Sequence, residues 1–418
     1  MRTSCKIALA VAAVLGGSTA AYALPPAATA AATVKLTVSG SSAFRDTFRQ
    51  ELATVCSDTL DVYTTQTGGP DLRAYSCTLS ATSGLPNGTT AAVYYRSEGG
   101  SVYGVGPVAR PTQILRLKVD AGCTGASPAY TCNVANFNLA ADSATGQVEK
   151  ATTQLGISDV EPNQFQGSDN WPSGTVLSNP PSQAELDSID SVNGVNGVVF
   201  GIYVHAGVSA TPIALSRQSL TSIFSGLYSD WNQVPKYDGS GFVTAGTLPI
   251  KLCRREIGSG THAGTAIYFN GAGCSSAAYG FAASSLPANN SSGAELTCIT
   301  GNPGAIGYAT LAATTATLIN LDGVVPNRTN AALGNYGFWL ENTFNVKTSV
   351  MAPTSNPGRL AQTMQNRLRN AASIPTASLN TIGLPIGSNS INLPVSATNP
   401  VAIGLRGGNS CFAPVGQN

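Results

Sequence analysis

The sequence predicts an α/β fold with mixed, mostly parallel sheets flanked by helices. Its 418 residues are 43% apolar and 10% charged, which is enough to bury the cores of roughly two to three domains. Three segments also pass from an apolar strand through a Gly/Ser turn into a second apolar run. Strands that alternate with helices are typical of βαβ units and of largely parallel sheets.

The first of these segments is VKLTVSGSSAFRDTFRQELATVC, residues 34–56. Its opening residues alternate in polarity, which predicts a strand, and Phe44, Phe48, Leu52 and Val55 recur at the spacings of three and four that predict a helix. The same order returns in AAVYYRSEGGSVYGV and in LPIKLCRREIGSGTHAGTAIYF. Each of the three turns is therefore expected between a strand and a helix.

Later segments extend this pattern. NGVVFGIYVHAG is long and β-branched enough to form a central strand. A helix is predicted to begin near Arg217, with Ser216 as its N-cap and with one apolar face. That face comprises Leu220, Ile223, Phe224 and Leu227. GAIGYATL predicts another strand and GRLAQTMQNRLRNAA a late helix, whereas residues 120–147 and the tail from Ser373 are expected to be surface elaborations.

The amino terminus has the features of a secretory leader. Arg2 and Lys6 precede a short apolar run, and Ala21, Tyr22 and Ala23 form a small-x-small cleavage pattern. We therefore expect residues 1–23 to be removed and the protein to be periplasmic or secreted. The remaining chain has a net charge near −1, which argues against nucleic acids and anionic membranes as partners.

Removal of the leader leaves eight cysteines, an even number that favours four disulfides in an oxidising compartment. The short spacings predict the pairs Cys56–Cys77 and Cys123–Cys132. The connectivity of the other four is left open; they are Cys253, Cys274, Cys298 and Cys411. A zinc site is the competing interpretation, but there is no Cys-x-x-Cys and the two histidines lack nearby ligand partners. We expect no metal and no cofactor.

A strand that leads through a Gly/Ser/Thr turn into a helix directs free backbone N–H groups and the positive end of the helix dipole at one point. Small hydroxyl side chains add further donors there. One such turn is weak evidence, because most of them only cap a helix. Three turns, one beside the paired cations Arg254 and Arg255, indicate a site for an anion.

The order of these motifs resembles the phosphate-binding proteins of bacterial phosphate ABC transporters, which are class II periplasmic binding proteins. Six motifs carry the resemblance, in the order of the family: GSSAF, YYRSEGGS, GISDVEP, SLTSIFSGLYSDWNQV, RREIGSGT and GAIGYATL. They cover about a seventh of the chain. The most specific are the SIFSG…WNQ stretch and the arginine followed by GSGT.

The resemblance implies a phosphate site with residues from four of these motifs. Backbone N–H groups of the first turn and hydroxyls beside them bind the ligand, followed by a serine of the second turn, an acceptor carboxylate, and the arginine with its GSGT turn. The expected set is Ser42, Ala43, Phe44, Ser101, Asp159, Arg255, Ser259, Gly260 and Thr261. Ser41 lies nearby, and the two glycines before Ser101 leave the register of the second turn open by one position.

Two of these residues define the chemistry. The planar guanidinium of Arg255 can bind two oxygens of a tetrahedral oxyanion. Asp159, when ionised, can only accept hydrogen bonds, so it should repel an anion that carries no proton. Phosphate at neutral pH carries one and sulfate does not.

As alternatives, Asp159 could be a turn residue and the two arginines a solvated pair. His262 could be structural or could modulate the anion.

The chain also departs from the family. Family members often carry an acidic residue just before the GSGT serine to support the arginine, whereas this chain has Ile257 there and Glu256 one position earlier. The insertion around residues 120–147 and the number of cysteines are also unusual.

The resemblance further implies two lobes, residues 33–198 with 341–418 and residues 199–340, with the ligand in the cleft between them.

The resulting expectation is a monomeric, exported binding protein that captures inorganic phosphate for an inner-membrane ABC permease and does not act as an enzyme. The sequence lacks Gly-x-Ser-x-Gly, His-Glu-x-x-His and the nucleotide loop Gly-x-x-x-x-Gly-Lys-Ser/Thr. The alternatives are a secreted structural or adhesive protein that reuses the fold and a binder of another oxyanion, such as arsenate or a phosphonate.

Overall fold

A computed structural model describes residues 24–271, 280–374, 378–385, 401–402, 404–407, 411 and 415–416. The predicted leader, Cys274 and much of the carboxyl-terminal tail lie outside these residues. The described helices are α1 (Pro26–Ala30), α2 (Arg45–Thr54), α3 (Gly106–Ala109), α4 (Gln183–Asp187), α5 (Arg217–Phe224), α6 (Gly260–Asn270), α7 (Ser292–Gly301), α8 (Arg328–Ala332) and α9 (Asn356–Arg369).

The described strands fall into an amino-terminal and a carboxyl-terminal series. The first series is β1 (Val34–Gly40), β2 (Asp61–Thr65), β3 (Leu72–Thr78), β4 (Thr90–Arg96), β5 (Gln113–Leu117), β6 (Thr124–Ala126), β7 (Ala129–Cys132), β8 (Val134–Asn138), β9 (Ser143–Gly146), β10 (Val148–Thr152), β11 (Leu155–Ser158) and β12 (Asp190–Val192). The second is β13 (Gly197–Val204), β14 (Ala214–Leu215), β15 (Lys251–Leu252), β16 (Ala305–Thr310), β17 (Thr317–Leu318), β18 (Asn320–Leu321), β19 (Trp339–Glu341), β20 (Thr343–Val346), β21 (Thr381–Ile382), β22 (Gly404–Leu405) and β23 (Val415–Gly416).

The first sheet has the strand order β12-β20-β11-β1-β4-β3-β2-β7-β6. At its centre β1 pairs in parallel with both β4 and β11. Antiparallel pairs lie toward both edges, where β3 joins β4 and β20 joins β11. The predicted α/β arrangement of mixed sheets and helices is confirmed, with a parallel centre that aligns the carboxyl ends of three strands.

The second sheet is built around β13, whose eight residues are all buried, as the sequence predicts for a central strand. β16, β17, β19 and β21 pair antiparallel with it, and β15 pairs in parallel with β16. Every described partner of β13 thus runs opposite to it, in contrast to the parallel centre of the first sheet.

Two adjacent crossovers connect the sheets, and the chain passes to the second sheet again between β20 and β21. The chain leaves the first sheet between β12 and β13 and returns between β19 and β20. The crossovers are joined to each other where the Asn342 amide donates to Asn196 Oδ1 at 2.7 Å, and both residues are fully buried. Two sheets joined by paired crossovers form a two-lobed fold. We propose residues 33–198 with 341–418, and 199–340, as the two lobes.

The predicted helix near Arg217 is confirmed, with Ser216 Oγ accepting from the Ser219 N–H at its start. One residue of its predicted apolar face is not buried. Leu227 is 76% exposed, because the helix ends at Phe224 and Gly226 then turns the chain with φ of 79°.

The predicted disulfides Cys56–Cys77 and Cys123–Cys132 are both present. A third, Cys253–Cys298, joins β15 to α7 and settles part of the connectivity that the sequence left open. Cys411 is disulfide-bonded as well. Three of these four cysteines are thus placed in disulfides, and Cys274 lies outside the described residues.

The insertion at residues 120–147 is more than a surface elaboration. Its strand β7 pairs in parallel with β2 and extends the first sheet. Asp142, which is fully buried, forms an ion pair of 2.5 Å with the buried Arg96 at the end of β4. The insertion therefore supplies the counter-charge for a cation beside the second Gly/Ser turn.

Candidate functional site

The candidate site lies where β1, β4 and β11 end. Because the carboxyl ends of parallel strands meet at one edge of a sheet, the segments that follow them are brought together. The turn that contains Ser41 and Ser42 follows β1, the turn that leads to Ser101 follows β4, and Asp159 follows β11 directly. The strand pairing thus explains why three distant motifs share one location.

Asp159 is the point at which these motifs converge. It is 2% exposed, and its Oδ1 accepts from the Ser41 hydroxyl. Its Oδ2 accepts from Ser101 Oγ and from Thr261 Oγ1, each at 3.3 Å. Thr261 belongs to the second lobe, so one buried carboxylate receives hydroxyl donors from both sides of the cleft. The turn interpretation of Asp159 does not account for this arrangement.

Burial raises the pKa of Asp159, since the charged form loses its hydration. The Ser41 hydrogen bond opposes that rise, as do the positive charge of Arg255 and the hydroxyls of Ser101 and Thr261. The donors around the carboxyl group are therefore arranged to stabilise its ionised form, which can only accept hydrogen bonds.

The first turn supplies a hydrogen-bond acceptor to the start of α2. Ser41 Oγ accepts from the Phe44 N–H at 3.1 Å, and Phe44 is the N-cap residue but has no side chain able to cap. Ser42 Oγ accepts from the Ser292 N–H of the second lobe at 3.4 Å. Ser42 and Ala43 also line a cavity of about 290 Å³ that lies between the first turns of α2 and α7.

The GSGT turn touches the first lobe closely. Ser259 is the N-cap of α6, and its Oγ accepts from the His262 N–H at 3.2 Å. A Cβ at Gly260 would lie 2.6 Å from Ser101 Oγ and 2.9 Å from Asp159 Cβ. Only glycine fits there. Val102 N–H also donates to the Gly258 carbonyl at 2.8 Å, which closes the lobes over the site.

Arg255 is 2% exposed and is held by the segment before α7. Its Nε donates to the Asn289 carbonyl at 3.0 Å, its Nη2 to the Asn290 carbonyl at 3.1 Å and its Nη1 to Ser292 Oγ at 3.3 Å. A guanidinium has five N–H donors. These three bonds leave one N–H on each terminal nitrogen for another acceptor, and the charge is close enough to Asp159 to lower its pKa.

The acidic support that the sequence lacks before the GSGT serine is provided by α7. Ile257 is 47% exposed and gives no support, but Glu295 is fully buried and accepts from the Asn289 side chain at 2.8 Å. Burial raises the pKa of Glu295 to about 7, and the Arg255 charge opposes that rise. Glu295 therefore holds Asn289, one of the residues that orient Arg255.

Arg254 and His262 are directed elsewhere. Arg254 Nη1 donates to the Ala282 carbonyl at 2.9 Å. His262 Nδ1 is hydrogen-bonded to the Tyr308 hydroxyl, and burial, with the charges of both arginines, lowers its pKa to about 3. The imidazole is neutral at pH 7. Of the two adjacent arginines, Arg255 is the one that the fold brings to the site.

The sequence analysis missed the segment from Asn289 to Ser292. Ser291 is the N-cap of α7, with its Oγ accepting from the Ala294 N–H. An N-cap serine followed by Glu295 in the first helical turn is a recognisable start signal. That signal predicts a helix but not its contact with Arg255, because the two lie more than thirty residues apart in the chain.

Within the described part of the chain, no three or more His, Cys, Asp or Glu side chains gather so that they could hold a metal ion. None of the helices described there has the length and hydropathy needed to cross a bilayer.

Comparison with known proteins places the chain in a family. Residues 134–368, more than half of the sequence, match the model of a PBP superfamily domain. A search of curated proteins found no match. With its two α/β lobes and this match, the chain belongs to the PBP superfamily, the periplasmic binding proteins.

Several solved structures are similar to this chain. One is a putative phosphate ABC transporter substrate-binding protein from Clostridium perfringens with bound phosphate, at 13% identity and a TM-score of 0.46 over 79% of this chain and 91% of that chain. Another is an ABC-type phosphate transport receptor from Vibrio cholerae, at 13% identity and a TM-score of 0.41 over 79% and 93%. A third is a phosphate-binding protein from Stenotrophomonas maltophilia, at 14% identity and a TM-score of 0.39 over 82% and 94%.

Proposed function

We propose that this protein is an exported binding protein that captures inorganic phosphate between its lobes, without chemical turnover, and presents it to an inner-membrane ABC permease. The observation that carries the proposal is the convergence of hydroxyls from both lobes on buried Asp159, beside the charge of Arg255. We propose the following ligand set: Ser42, Ala43, Phe44, Ser101, Asp159, Arg255, Ser259, Gly260 and Thr261.

The chemistry of this set favours a protonated oxyanion. The Arg255 guanidinium supplies N–H donors that suit the oxygens of a tetrahedral anion. The hydroxyls of Ser101 and Thr261, which donate to Asp159, add donors when they turn from the carboxylate to the ligand. An ionised carboxylate offers only acceptor positions, so one ligand oxygen must carry a proton to face it. Phosphate meets both conditions at neutral pH, whereas sulfate would place two like charges together.

The proposal of binding without turnover rests on the groups that surround the site. Hydrolysis of a phosphate ester needs a base near the attacking group. His262 is bonded to the Tyr308 hydroxyl and has a pKa near 3, so it is a poor base. The buried carboxylate of Asp159 is engaged by hydroxyl donors from both lobes.

Calorimetry with the chain that begins at Leu24 tests the proposal, using phosphate, arsenate, a phosphonate and sulfate. We expect phosphate to bind at micromolar or lower Kd, about −8 kcal/mol or better, and sulfate to bind far more weakly. Arg255→Ala should weaken phosphate binding by about 2 to 5 kcal/mol, while Arg254→Ala, whose guanidinium donates to Ala282, should leave it unchanged. Absence of phosphate binding, or equal binding of sulfate, would refute the proposal.

A further inference from the structure

A second polar contact crosses the cleft beside the candidate site. Glu98, in the turn after β4, is 3% exposed. Its Oε2 accepts from the Asp71 N–H at 2.7 Å. The side-chain amide of Asn290, on the second lobe, donates to both carboxylate oxygens of Glu98, at 2.9 and 3.0 Å. This contact joins the lobes through residues outside the proposed ligand set.

Asn290 links this contact to the arginine. Its main-chain carbonyl accepts from Arg255 Nη2 at 3.1 Å, while its side chain reaches Glu98. The other guanidinium nitrogens are held by the preceding residue, Asn289, at Nε and by Ser292, two residues later, at Nη1. Any movement of Asn290 away from the first lobe would therefore also displace an acceptor that orients Arg255.

The first-lobe side of the contact is firmly fixed. Arg96 Nε donates to the Glu98 carbonyl at 3.1 Å, and Arg96 is itself buried against Asp142. The Asp71 N–H holds the Glu98 carboxyl group. Asn290 thus meets an acceptor whose main chain and side chain are both restrained, so little ordering is needed when the lobes close.

We propose that Glu98 and Asn290 form an interlobe latch that stabilises the closed cleft and positions Arg255, and thereby sets how slowly the bound anion is released. This inference rests on the proposed function. A hydrogen bond that exists only when the lobes are together adds its free energy to the closed state alone. The latch contacts Arg255 through the Asn290 carbonyl, and neither Glu98 nor Asn290 is in the proposed ligand set, so both are positioning residues.

The test compares phosphate dissociation rates by stopped flow for wild type, Asn290→Ala, Asn290→Asp and Glu98→Gln. Asn290→Ala should release phosphate at least about tenfold faster, the effect of losing the hydrogen bonding of one amide to a charged group. Asn290→Asp keeps the main-chain carbonyl but sets two carboxylates against each other, and release should be faster still. Asn330→Ala, whose amide donates to Val325 within the second lobe, is the control and should match wild type.

A double variant makes the test decisive. In Glu98→Gln/Asn290→Ala, release should be no faster than in the faster-releasing of the two single variants, because the same contact is lost only once. Effects that multiply, or single-variant rates within twofold of wild type, would overturn the latch. Glu98→Gln preserves volume and one acceptor oxygen, so it remains informative if another variant does not fold.

The latch and the proposed function can fail separately. Dyes placed on the two lobes report the distance between them by resonance energy transfer without any ligand. If wild type binds no oxyanion, the proposed function fails. The latch is then judged by Asn290→Asp, which should lengthen the mean interlobe distance, and an unchanged distance would overturn it.

Discussion

The substitution Asp159→Asn tests how the site distinguishes its ligand. It keeps the shape of the side chain but replaces one acceptor oxygen with an NH2 donor and removes the charge. In the wild type, Oδ1 accepts from Ser41 and Oδ2 from Ser101 and Thr261. Asparagine retains one of these two oxygens, so one set of hydroxyls loses its acceptor.

The expected magnitude follows from these contacts. Phosphate should lose about 2 kcal/mol, the worth of one hydrogen bond between its proton and a charged acceptor. Sulfate should gain at least about 1 kcal/mol, because two negative charges a few ångströms apart no longer repel each other. The ratio of sulfate to phosphate affinity should therefore rise by about a hundredfold.

Competition calorimetry near pH 8 measures this ratio directly. Asp187→Asn makes the same chemical change on the exposed side of α4, where the carboxylate accepts from Gln183, and it should leave the ratio unaltered. Thermal unfolding shows whether the Asp159 variant is folded. A folded Asp159→Asn protein with the wild-type ratio would refute the role of this carboxylate in selecting a protonated ligand.

Two other predictions concern stability and positioning. Burial, with added repulsion from Glu98, raises the pKa of Glu256 from 4.5 to about 7. Between these pH values the folded state binds more protons than the unfolded chain. The folded state therefore loses stability as the pH rises from 4.5 to about 7. Glu256→Gln should accordingly be about 3 kcal/mol more stable than wild type at pH 8 and equal to it below pH 4.5 in urea unfolding. A gain of the same size at both pH values would contradict this. Replacing Cys253–Cys298 by alanines should weaken phosphate binding about tenfold, because this disulfide ties the chain two residues before Arg255 to α7. The same change at Cys123–Cys132 should cost about 2 to 4 kcal/mol of stability and leave Kd within about twofold. Equal effects of the two replacements on Kd would show that the first disulfide has no positioning role.

Local pattern predicted much of this architecture. Val34–Gly40 and the helix after it were predictable because alternating and three-to-four spacings report which face is buried. The meeting of Ser101 with Asp159 was predictable only from the resemblance, since a turn motif carries no information about what it will face. Once β1, β4 and β11 are known to be parallel neighbours, that meeting follows from their geometry.

Other features depend on contacts that leave no local trace in the sequence. Arg255 is supported by a segment that is distant from it in the chain, namely Asn289, Asn290 and Ser292. Each of the two segments alone has the pattern of an ordinary turn or helix cap. The apolar spacing predicts that α5 continues to Leu227. The helix ends earlier because Gly226 adopts a left-handed conformation. The pairing of Cys253 with Cys298 required the placement of α7 beside β15.

The ion pair between Asp142 and Arg96 limits how this protein can be shortened. A designer seeking a smaller version of the protein would be drawn to trim residues 120–147, since none of the six sequence motifs lies there. Doing so would strand a guanidinium in the interior, at a cost of about 3 to 5 kcal/mol for a buried charge that loses its partner. Any truncated version should therefore also exchange Arg96 for a neutral side chain of similar size.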